Sequence, residues 1–348
     1  MKKSLVTGGA GFIGSHVVDA LLEMGHEVVV LDDLSGGRRS NVNPSAEFIK
    51  GSVVDGQLVH KAFAKHKFSY VFHLAAYAAE GLSHFIKVFN YENNLIGSMN
   101  VLNAAINSGT VECFVFTSSI AVYGSNQLPM DETLTPEPED SYGIAKSAIE
   151  RELRISERMF GLPYVIFRPH NVYGERQNLG DRYRNVIGIF MNHAMKGQPF
   201  PVFGDGSQTR AFSHVADVAP VIAHSVERPE SHGKIFNVGA DTPYSILQLA
   251  GAVAEAMEIE LQTVHLPERR EVKHAYADHG LVRQVFGDLI QGITLKEGLR
   301  RMAAWAQALG PQRVRSFYKI EVRKGLPPSW EDENIERESD GERYVVSV

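Results

Sequence analysis

A glycine-rich turn near the start of the chain limits its possible folds more than any other segment. Residues 4–7 form an apolar stretch with the length of a buried strand, and glycines follow at positions 8, 9, 11 and 14. Apolar residues then recur between positions 13 and 22 with the spacing of one helix face. A second apolar strand at residues 27–31 ends in Asp32 and Asp33. This order of strand, glycine turn, helix, strand and acid predicts a dinucleotide-binding βαβ unit.

Each part of this unit has a physical role in binding a dinucleotide. Gly8 permits the tight turn, Gly11 lets the backbone approach a phosphate, and Gly14 lets the helix pack against the sheet. The pyrophosphate would lie at the helix N-terminus, which attracts anions. Asp32 would accept hydrogen bonds from the ribose hydroxyls and repel a 2′-phosphate, so NAD is favoured over NADP. The nearby Arg38-Arg39 pair leaves NADP open.

Further apolar strands alternate with helical segments. Strands are predicted at residues 47–49, 70–74, 111–117, 164–167 and 235–238, and helices at residues 56–64, 91–107 and 141–160. This alternation predicts an α/β fold with a Rossmann-type, doubly wound parallel sheet. Ligands of such sheets bind at the carboxyl ends of the strands. Small or polar clusters occupy three of these ends, at residues 73–76, 117–119 and 168–171.

The composition of the chain changes after residue 170. Residues 175–185 are polar and residues 198–209 are rich in proline, glycine and aspartate, with a helix predicted between them. We interpret residues 1–170 as the NAD-binding domain, to which the chain returns at about residues 211–239. Residues 171–210 and 240–310 would form a smaller mixed α/β substrate-binding lobe. Residues 311–348 are a charged C-terminal tail, and the stretch at 331–342 is expected to be loose.

Charge and composition exclude several classes of function. A net charge of -6 provides no basic field for nucleic acid, and no apolar stretch approaches the length of a membrane span. The single cysteine excludes an internal disulfide, and the early glycines interrupt any signal-peptide pattern. The 14 histidines lack the spacing of a metal site. We therefore expect a cytoplasmic protein without a metal, nucleic-acid or membrane partner.

Tyr142 and Lys146 are four residues apart on a predicted helix, so their side chains share one face. An ammonium about 4 Å from a phenol favours the phenolate by roughly 4 kcal/mol at an effective dielectric of about 20. That energy would lower the phenol pKa from about 10 towards 7, where a general base works best. The spacing alone is common, and the glycine turn together with Ser119 upstream gives it weight.

The motifs occur in an order that resembles the extended short-chain dehydrogenases acting on nucleotide-sugars, most closely the UDP-glucose (galactose) 4-epimerases. The resemblance covers about residues 1–305 and rests on residues 7–14, 73–76, 117–124, 142–146 and 168–174. It implies a tightly bound NAD between two lobes and a UDP-sugar in the cleft, inverted at C4 through a 4-keto intermediate. Tyr142 would be the base, Lys146 the ribose ligand and pKa modulator, and Ser119 the partner of the sugar hydroxyl.

The resemblance also implies the remaining contacts. Those with NAD are Gly8, Gly11, Phe12, Ile13, Gly14, Asp32, Asp33, Ser52, Val53, Leu74, Ala75, Ala76, Tyr142 and Lys146. Those with the UDP-sugar, besides Ser119, are Asn171 and Arg210 at the diphosphate, Phe203 on uracil, Asn185 and Val186 at the uracil edge, Arg269 or Arg270 with Glu271, and Ala275. The helices at residues 91–107 and 141–160 would form a four-helix homodimer interface, although burial within one chain explains the same pattern.

The two positions after Ser119 separate the chemistries within the family. Related 4,6-dehydratases carry Asp-Glu there and decarboxylases carry a Glu at the second position, whereas this chain has Ile120 and Ala121. Neither side chain can carry a proton, which favours 4-epimerisation. An NAD-dependent nucleotide-sugar reductase, a dehydratase of the same family and a non-catalytic NAD-binding protein are the alternatives. The small Ala275 suggests a roomy sugar pocket, but the sugar itself is not determined.

Overall fold

Strands and helices alternate along the chain, as the sequence pattern predicts. The computed structural model describes residues 2–269, 272–314, 317 and 319–330. The strands are β1 (Lys3–Thr7), β2 (Glu27–Asp32), β3 (Glu47–Lys50), β4 (Tyr70–His73), β5 (Cys113–Thr117), β6 (Tyr164–Pro169), β7 (Val172–Tyr173), β8 (Phe200–Phe203), β9 (Thr209–Ala211), β10 (Ser213–His214), β11 (Lys234–Val238), β12 (Pro243–Ser245), β13 (Thr263–Leu266) and β14 (His274–Ala275). The helices are α1 (Phe12–Glu23), α2 (Gly56–Lys65), α3 (Glu80–Ser83), α4 (Lys87–Tyr91), α5 (Gly97–Ser108), α6 (Ser141–Phe160), α7 (Val186–Met195), α8 (Val215–His224), α9 (Ile246–Ala256), α10 (Gly280–Phe286) and α11 (Leu295–Leu309).

The central sheet has seven parallel strands in the order β11-β6-β5-β4-β1-β2-β3. The strand order reverses direction between β1 and β4, which is where doubly wound sheets bind their ligands. Thr7 pairs with His73 on one side and with Leu31 on the other, so the strand ends beside the glycine turn are level. The predicted Rossmann-type, doubly wound parallel sheet is confirmed.

Helices cover both faces of this sheet. Apolar residues of α1, α8 and α10 pack on one face, and those of α2, α5 and α6 pack on the other. Cys113, the sole cysteine, is fully buried at the start of β5, and burial raises the pKa of its thiol to about 12. Among the described helices, none combines the length and apolar character that a membrane span requires.

The strands outside the central sheet belong to three small sheets, β7 with β10, β8 with β13, and β12-β9-β14. Helices α7, α9 and α11 pack with β8 around an apolar core of their own. Between α7 and α9, the chain returns to the central sheet through β11, which pairs with β6. A smaller mixed α/β region therefore stands beside the central sheet, next to the carboxyl ends of β5 and β6.

The helix predicted at residues 91–107 is not one regular helix. A π-helical turn at Glu92–Ile96 joins α4 to α5. The Asn94 side chain exchanges hydrogen bonds with the backbone of Tyr77 and donates to Asn90, and the Ser98 hydroxyl donates to the Asn94 carbonyl at 2.6 Å. These contacts with a distant loop favour the wider turn, and such turns are frequent at functional sites.

Helix α6 has the predicted bounds because both of its ends are capped. The Asp140 carboxylate accepts from the Gly143 N–H at 2.8 Å, and Gly161 ends the helix with a φ of 70°. Tyr142, Lys146 and Glu150 lie at four-residue intervals on one buried face of this helix. Three polar side chains thus enter the protein interior together.

The described residues at 311–314, 317 and 319–330 pass across the molecule and are named here the C-terminal strap. Its described residues Phe317, Leu326 and Trp330 are buried against an apolar cluster that contains Tyr77 and Leu82. The charged composition of the tail did not predict this packing, since three apolar side chains anchor it. The stretch at 331–342 that was predicted to be loose lies outside the described residues.

Glu150 and Arg168 form a buried ion pair, and we predict that Glu150→Ala destabilises the protein strongly. The pair joins α6 to β6 with nitrogen–oxygen distances of 2.9 and 2.5 Å, and both residues are almost fully buried. Removing one partner leaves an uncompensated buried charge, which costs about 3–5 kcal/mol. Chemical denaturation should show this loss of unfolding free energy. The control is Glu152→Ala on the exposed face of α6, and an equal effect in both variants would contradict the prediction.

Gly8→Ala should lower the thermal unfolding midpoint more than Gly25→Ala. Both glycines have positive φ, 73° and 81°, so each substitution introduces left-handed strain of about 1–2 kcal/mol. A Cβ on Gly8 would also lie 2.8 Å from the Ala75 backbone nitrogen, whereas a Cβ on Gly25 would meet nothing within 4 Å. Differential scanning calorimetry of the two variants checks this. Similar midpoints would show that the close approach at Gly8 has no energetic weight.

Candidate active site

A cleft of about 3010 Å³ runs along the carboxyl ends of the central strands, between the sheet and the smaller α/β region. The ends of β1, β2, β4, β5 and β6 line one wall, and residues from β8, β9 and β14 line the other. All the predicted site residues that the structure describes lie along this cleft. Glu271 lies outside the described residues. The geometry thus brings the predicted residues together, while their individual roles stay predictions.

The glycine turn forms a cradle at one end of the cleft. The Gly8 N–H donates to the Leu31 carbonyl at 2.9 Å, and the Gly11 N–H donates to the Gly8 carbonyl at 3.0 Å. A Cβ on Gly14 would lie 2.1 Å from the Gly8 carbonyl oxygen, so only glycine permits this contact. The turn leads directly into the N-terminus of α1. A bare backbone surface at a helix N-terminus fits the pyrophosphate of a dinucleotide.

Asp32 lies at the end of β2 and faces the same part of the cleft. Its carboxylate accepts from the Ala10 N–H at 3.0 Å and from the Leu34 N–H at 2.8 Å, and burial raises its pKa. A carboxylate has about four acceptor sites, so it can still accept hydrogen bonds from two ribose hydroxyls. Asp33, beside it, accepts from the Ser35 N–H at 2.8 Å and lines the cleft as well.

Arg38 and Arg39, which left NADP open, both point to other partners. The Arg38 guanidinium donates to the Gln312 side-chain oxygen at 2.8 Å. The Arg39 guanidinium stacks on the Phe48 ring at 4.6 Å from its centroid. Neither side chain lines the cleft, so neither is placed to neutralise a 2′-phosphate beside Asp32. The surroundings of Asp32 therefore fit NAD better than NADP.

The walls between these groups carry the other predicted dinucleotide contacts. Ser52 accepts from the Val54 N–H at 3.2 Å, which leaves its hydroxyl proton available to a ligand in the cleft. Val53 and the small residues at 74–76 add apolar surface on either side of the glycine turn. Such smooth walls suit flat adenine and nicotinamide rings.

Ser119, Tyr142 and Lys146 meet at the middle of the cleft. The Lys146 ammonium donates to the Thr117 carbonyl at 2.7 Å and lies 5.7 Å from the centroid of the Tyr142 ring. Ser119 ends the loop after β5, where its hydroxyl accepts from the Ala121 N–H at 3.1 Å. All three side chains are at least nine-tenths buried, yet all three line the cleft.

Burial dominates the acid–base properties of this group. Desolvation raises the pKa of Tyr142 well above its ordinary value, and a hydrogen bond with Ser119 only partly offsets this increase. Desolvation also lowers the pKa of Lys146 to about 7. The predicted lowering of the Tyr142 pKa by Lys146 is therefore wrong for the protein alone. The prediction counted the Coulomb attraction and omitted the desolvation of both groups.

Asn90 and Asn94 support the site, although the sequence pattern did not single them out. Asn94 fixes the backbone of Tyr77 from both sides, at 2.7 and 3.0 Å. Asn90 donates to the Ser141 carbonyl at 2.8 Å, directly before Tyr142. Together with Ser98 they form a polar stripe at four-residue spacing within a helical region, and this stripe was the available signal.

Asn171 and Asn185 face the cleft with positive φ angles of 41° and 36°. Such angles are uncommon outside glycine, and strained backbone of this kind is often found at functional sites. The Asn171 amide donates to the Ala211 carbonyl at 3.1 Å, and Asn185 accepts from the Ile187 N–H at 3.1 Å at the start of α7. Val186 follows on the first turn of that helix. Both asparagines are thus held in fixed positions toward the predicted diphosphate and uracil contacts.

Arg210 and Phe203 lie on the opposite wall. The Arg210 guanidinium donates to the backbone carbonyls of Thr209 at 2.9 Å and Lys273 at 3.0 Å. The Arg269 guanidinium covers one face of the Phe203 ring at 3.7 Å from its centroid. A uracil ring on Phe203 would therefore use the other face or the ring edge. The contact between Phe203 and uracil therefore stays a prediction, limited to these two arrangements.

The remaining positions describe the sugar end of the cleft. Ile120 and Ala121 line the cleft directly after Ser119, so no proton carrier stands at these two positions. Ala275, on β14, lies among Ile120, Val122 and Met130 and presents only a methyl group to the cleft. Within the described part of the chain, no cluster of three or more His, Cys, Asp or Glu side chains could hold a metal ion.

Comparisons with known proteins agree with this geometry. Residues 4–239 match the model of the NAD dependent epimerase/dehydratase family. A UDP-glucose 4-epimerase of Mycolicibacterium smegmatis is 34% identical over 309 residues, which are 86% of this chain and 96% of that protein. A UDP-N-acetyl-alpha-D-glucosaminuronate decarboxylase of Bacillus cytotoxicus is 30% identical over 286 residues, 80% of this chain and 87% of that protein.

A solved structure shows the same fold. The UDP-glucose 4-epimerase of Thermotoga maritima, determined with UDP-glucose, superposes with a TM-score of 0.84 at 34% identity. The match covers 88% of this chain and 99% of that chain. The family model spans most of the central sheet, and the matches cover nearly the full length of the relatives. The chain therefore belongs to the NAD-dependent epimerase/dehydratase family.

Proposed function

We propose that this protein is an NAD-dependent epimerase that inverts C4 of a UDP-sugar through a transient 4-keto intermediate. The observation that carries the proposal is the meeting of Ser119, Tyr142 and Lys146 in a cleft where Ile120 and Ala121 cannot carry a proton. Tyr142 is then the proton carrier beside the reacting hydroxyl. Oxidation and re-reduction at C4 need a single carrier, whereas elimination at C5 and C6 needs two.

The residues along the cleft fit NAD. The glycine cradle and the α1 N-terminus would hold its pyrophosphate, Asp32 would accept from its adenosine ribose, and Lys146 would contact the nicotinamide ribose. When bound, NAD supplies a hydride acceptor that also returns the hydride. Its positive ring would favour the phenolate of Tyr142, which burial alone disfavours.

This chain's own residues would carry out the remaining tasks. Tyr142 takes the proton from the sugar O4 and later returns it, while Ser119 donates a hydrogen bond to the oxygen that develops charge. Asn171, Arg210 and Arg269 would hold the diphosphate. Because the nucleotide then supplies the binding energy, the sugar can be held loosely enough to present either face.

The structure supports a roomy sugar subsite through the small Ala275 side chain. Hexoses and N-acetylhexosamines would both fit beside a methyl group, so the proposal extends to either as the UDP-sugar. The decarboxylase relative offers a different chemistry, for which the family resemblance implies a Glu at the position of Ala121. We therefore retain epimerisation as the proposed reaction.

Incubation of the NAD-loaded protein with a panel of UDP-sugars, followed by separation of C4 epimers, tests the function. We expect one or more pairs of epimers without carbon dioxide or dehydrated product. Tyr142→Phe should lower kcat by at least about 10²-fold, and Ser119→Ala by about 10²–10³-fold, because each removes a group acting on the O4 proton or charge. Tyr244→Phe, outside the cleft, is the control. A Tyr142→Phe enzyme with full activity would exclude this assignment.

We further propose that the protein is a cytoplasmic homodimer joined through α4, α5 and α6. Helices α4 and α6 pack side by side and expose large apolar side chains, among them Val88 at 56%, Met159 at 68% and Phe160 at 62%. Isolated exposed apolar residues are ordinary, but several of them on adjacent helices are typical of an interface.

Ile155→Glu, at another exposed apolar position of α6, should convert a dimer to a monomer because it buries a charge at the interface. Light scattering coupled to size-exclusion chromatography measures the change, with the exposed polar Arg158→Glu as the matched control on the same helix. A dimer that persists in Ile155→Glu would show that the interface lies on another surface. A monomeric natural protein would overturn the proposal.

A further inference from the structure

We propose that Trp330 of the C-terminal strap is a positioning residue for the nucleotide-sugar, which holds the Arg269 guanidinium in place for the diphosphate. The inference rests on the proposed UDP-sugar function and goes beyond it, because the family resemblance ends at about residue 305. Its basis is the set of contacts that the described residues of the strap make at the mouth of the cleft.

Trp330 touches both walls of the cleft. On the side of the central sheet, its ring lies 6.2 Å from the Phe85 ring, and a Cβ on Gly81 would be 3.3 Å from its indole. On the other side, its ring lies 5.2 Å from Tyr183 and 5.5 Å from the Arg269 guanidinium. Trp330 is only 5% exposed, although it lines the cleft. One indole therefore bridges the two walls.

Arg269 contacts two aromatic rings. Its guanidinium is 3.7 Å from the centroid of the Phe203 ring and 5.5 Å from that of the Trp330 ring. Contacts of this kind are favourable by about 0.5–2 kcal/mol, depending on burial. A guanidinium on an aromatic face can also bind phosphate, because its hydrogen-bond donors lie in its own plane. Trp330 thereby fixes a cation whose partner would be the diphosphate.

The rest of the strap fixes the position of Trp330. The Glu321 carboxylate accepts from the Val88 and Phe89 N–H groups at 2.7 and 3.0 Å, at the start of α4. Phe317 packs on Tyr77 and Phe89, and its N–H donates to the Tyr183 hydroxyl at 2.9 Å. Further along, the Arg182 guanidinium donates to the Ser329 carbonyl, directly before the tryptophan.

The experiment compares the full-length, NAD-loaded protein with Trp330→Ala, Trp330→Phe, Arg269→Ala and the double variant. Calorimetry gives the Kd for UDP, and steady-state kinetics give KM and kcat for the UDP-sugar that is turned over. We expect Trp330→Ala to raise both Kd and KM by about tenfold with kcat nearly unchanged, and Trp330→Phe to recover most of the loss because an aromatic face remains. The control is Trp305→Phe, which changes a partly buried tryptophan of α11 that packs against the apolar core of the smaller region.

A double-mutant cycle separates positioning from general structural support. If Trp330 acts through Arg269, the double variant binds UDP no more weakly than Arg269→Ala alone. Glu321→Ala releases the strap from α4 without touching the cleft, and it should reproduce the increase in KM. This variant also keeps the test valid if Trp330→Ala does not fold.

Three results would overturn the proposal: unchanged Kd and KM in Trp330→Ala, additive losses in the double variant, or a fall in kcat with KM unchanged. Failure of the proposed function is recognised separately. A natural protein that binds UDP but turns over no UDP-sugar would refute epimerisation and leave the binding comparison intact. A natural protein that does not bind UDP would refute both.

Discussion

The buried ion pair between Glu150 and Arg168 is the interaction on which the candidate site depends. It joins the polar face of α6 to the end of β6, and Glu150 also accepts from the Ser118 hydroxyl at 2.6 Å. Helix α6, strand β6 and the residue directly after β5 are thus joined through one carboxylate. Because Lys146 is desolvated on the same face, the negative charge of Glu150 also favours its protonated form. The Glu150 carboxylate therefore both positions residues of the site and favours the charged form of Lys146.

The parts of the fold that the sequence predicts best are those with local causes. The glycine turn, the acid at the end of β2 and the bounds of α6 each depend on contacts within a few residues, and all of them agree with the structure. The π-helical turn at Glu92–Ile96 was missed because its cause is the loop at Tyr77, which is distant in sequence. The same holds for the strap, since three dispersed apolar side chains outweigh its overall charge.

The candidate site divides in the same way. Its dinucleotide end is built from consecutive motifs, so residue types and spacing predict which side chains face the cleft. Its nucleotide-sugar end is assembled from separate segments: Phe203 comes from β8, Arg269 from the loop after β13, and Trp330 from the strap. No spacing rule connects these residues. The pKa of Tyr142 was mispredicted for a related reason, because desolvation depends on everything packed around the phenol.

The burial of Cys113 has a practical consequence for labelling this protein with spectroscopic probes. With its thiol pKa near 12 and its side chain fully enclosed, the sole cysteine is almost never a thiolate at neutral pH. A cysteine introduced on the exposed surface would be the one reactive thiol of the chain. A fluorophore or spin label could then be attached at a single chosen point, such as Lys324 on the strap, without altering the natural sequence elsewhere. The position of the strap relative to the rest of the chain thus becomes accessible to spectroscopy.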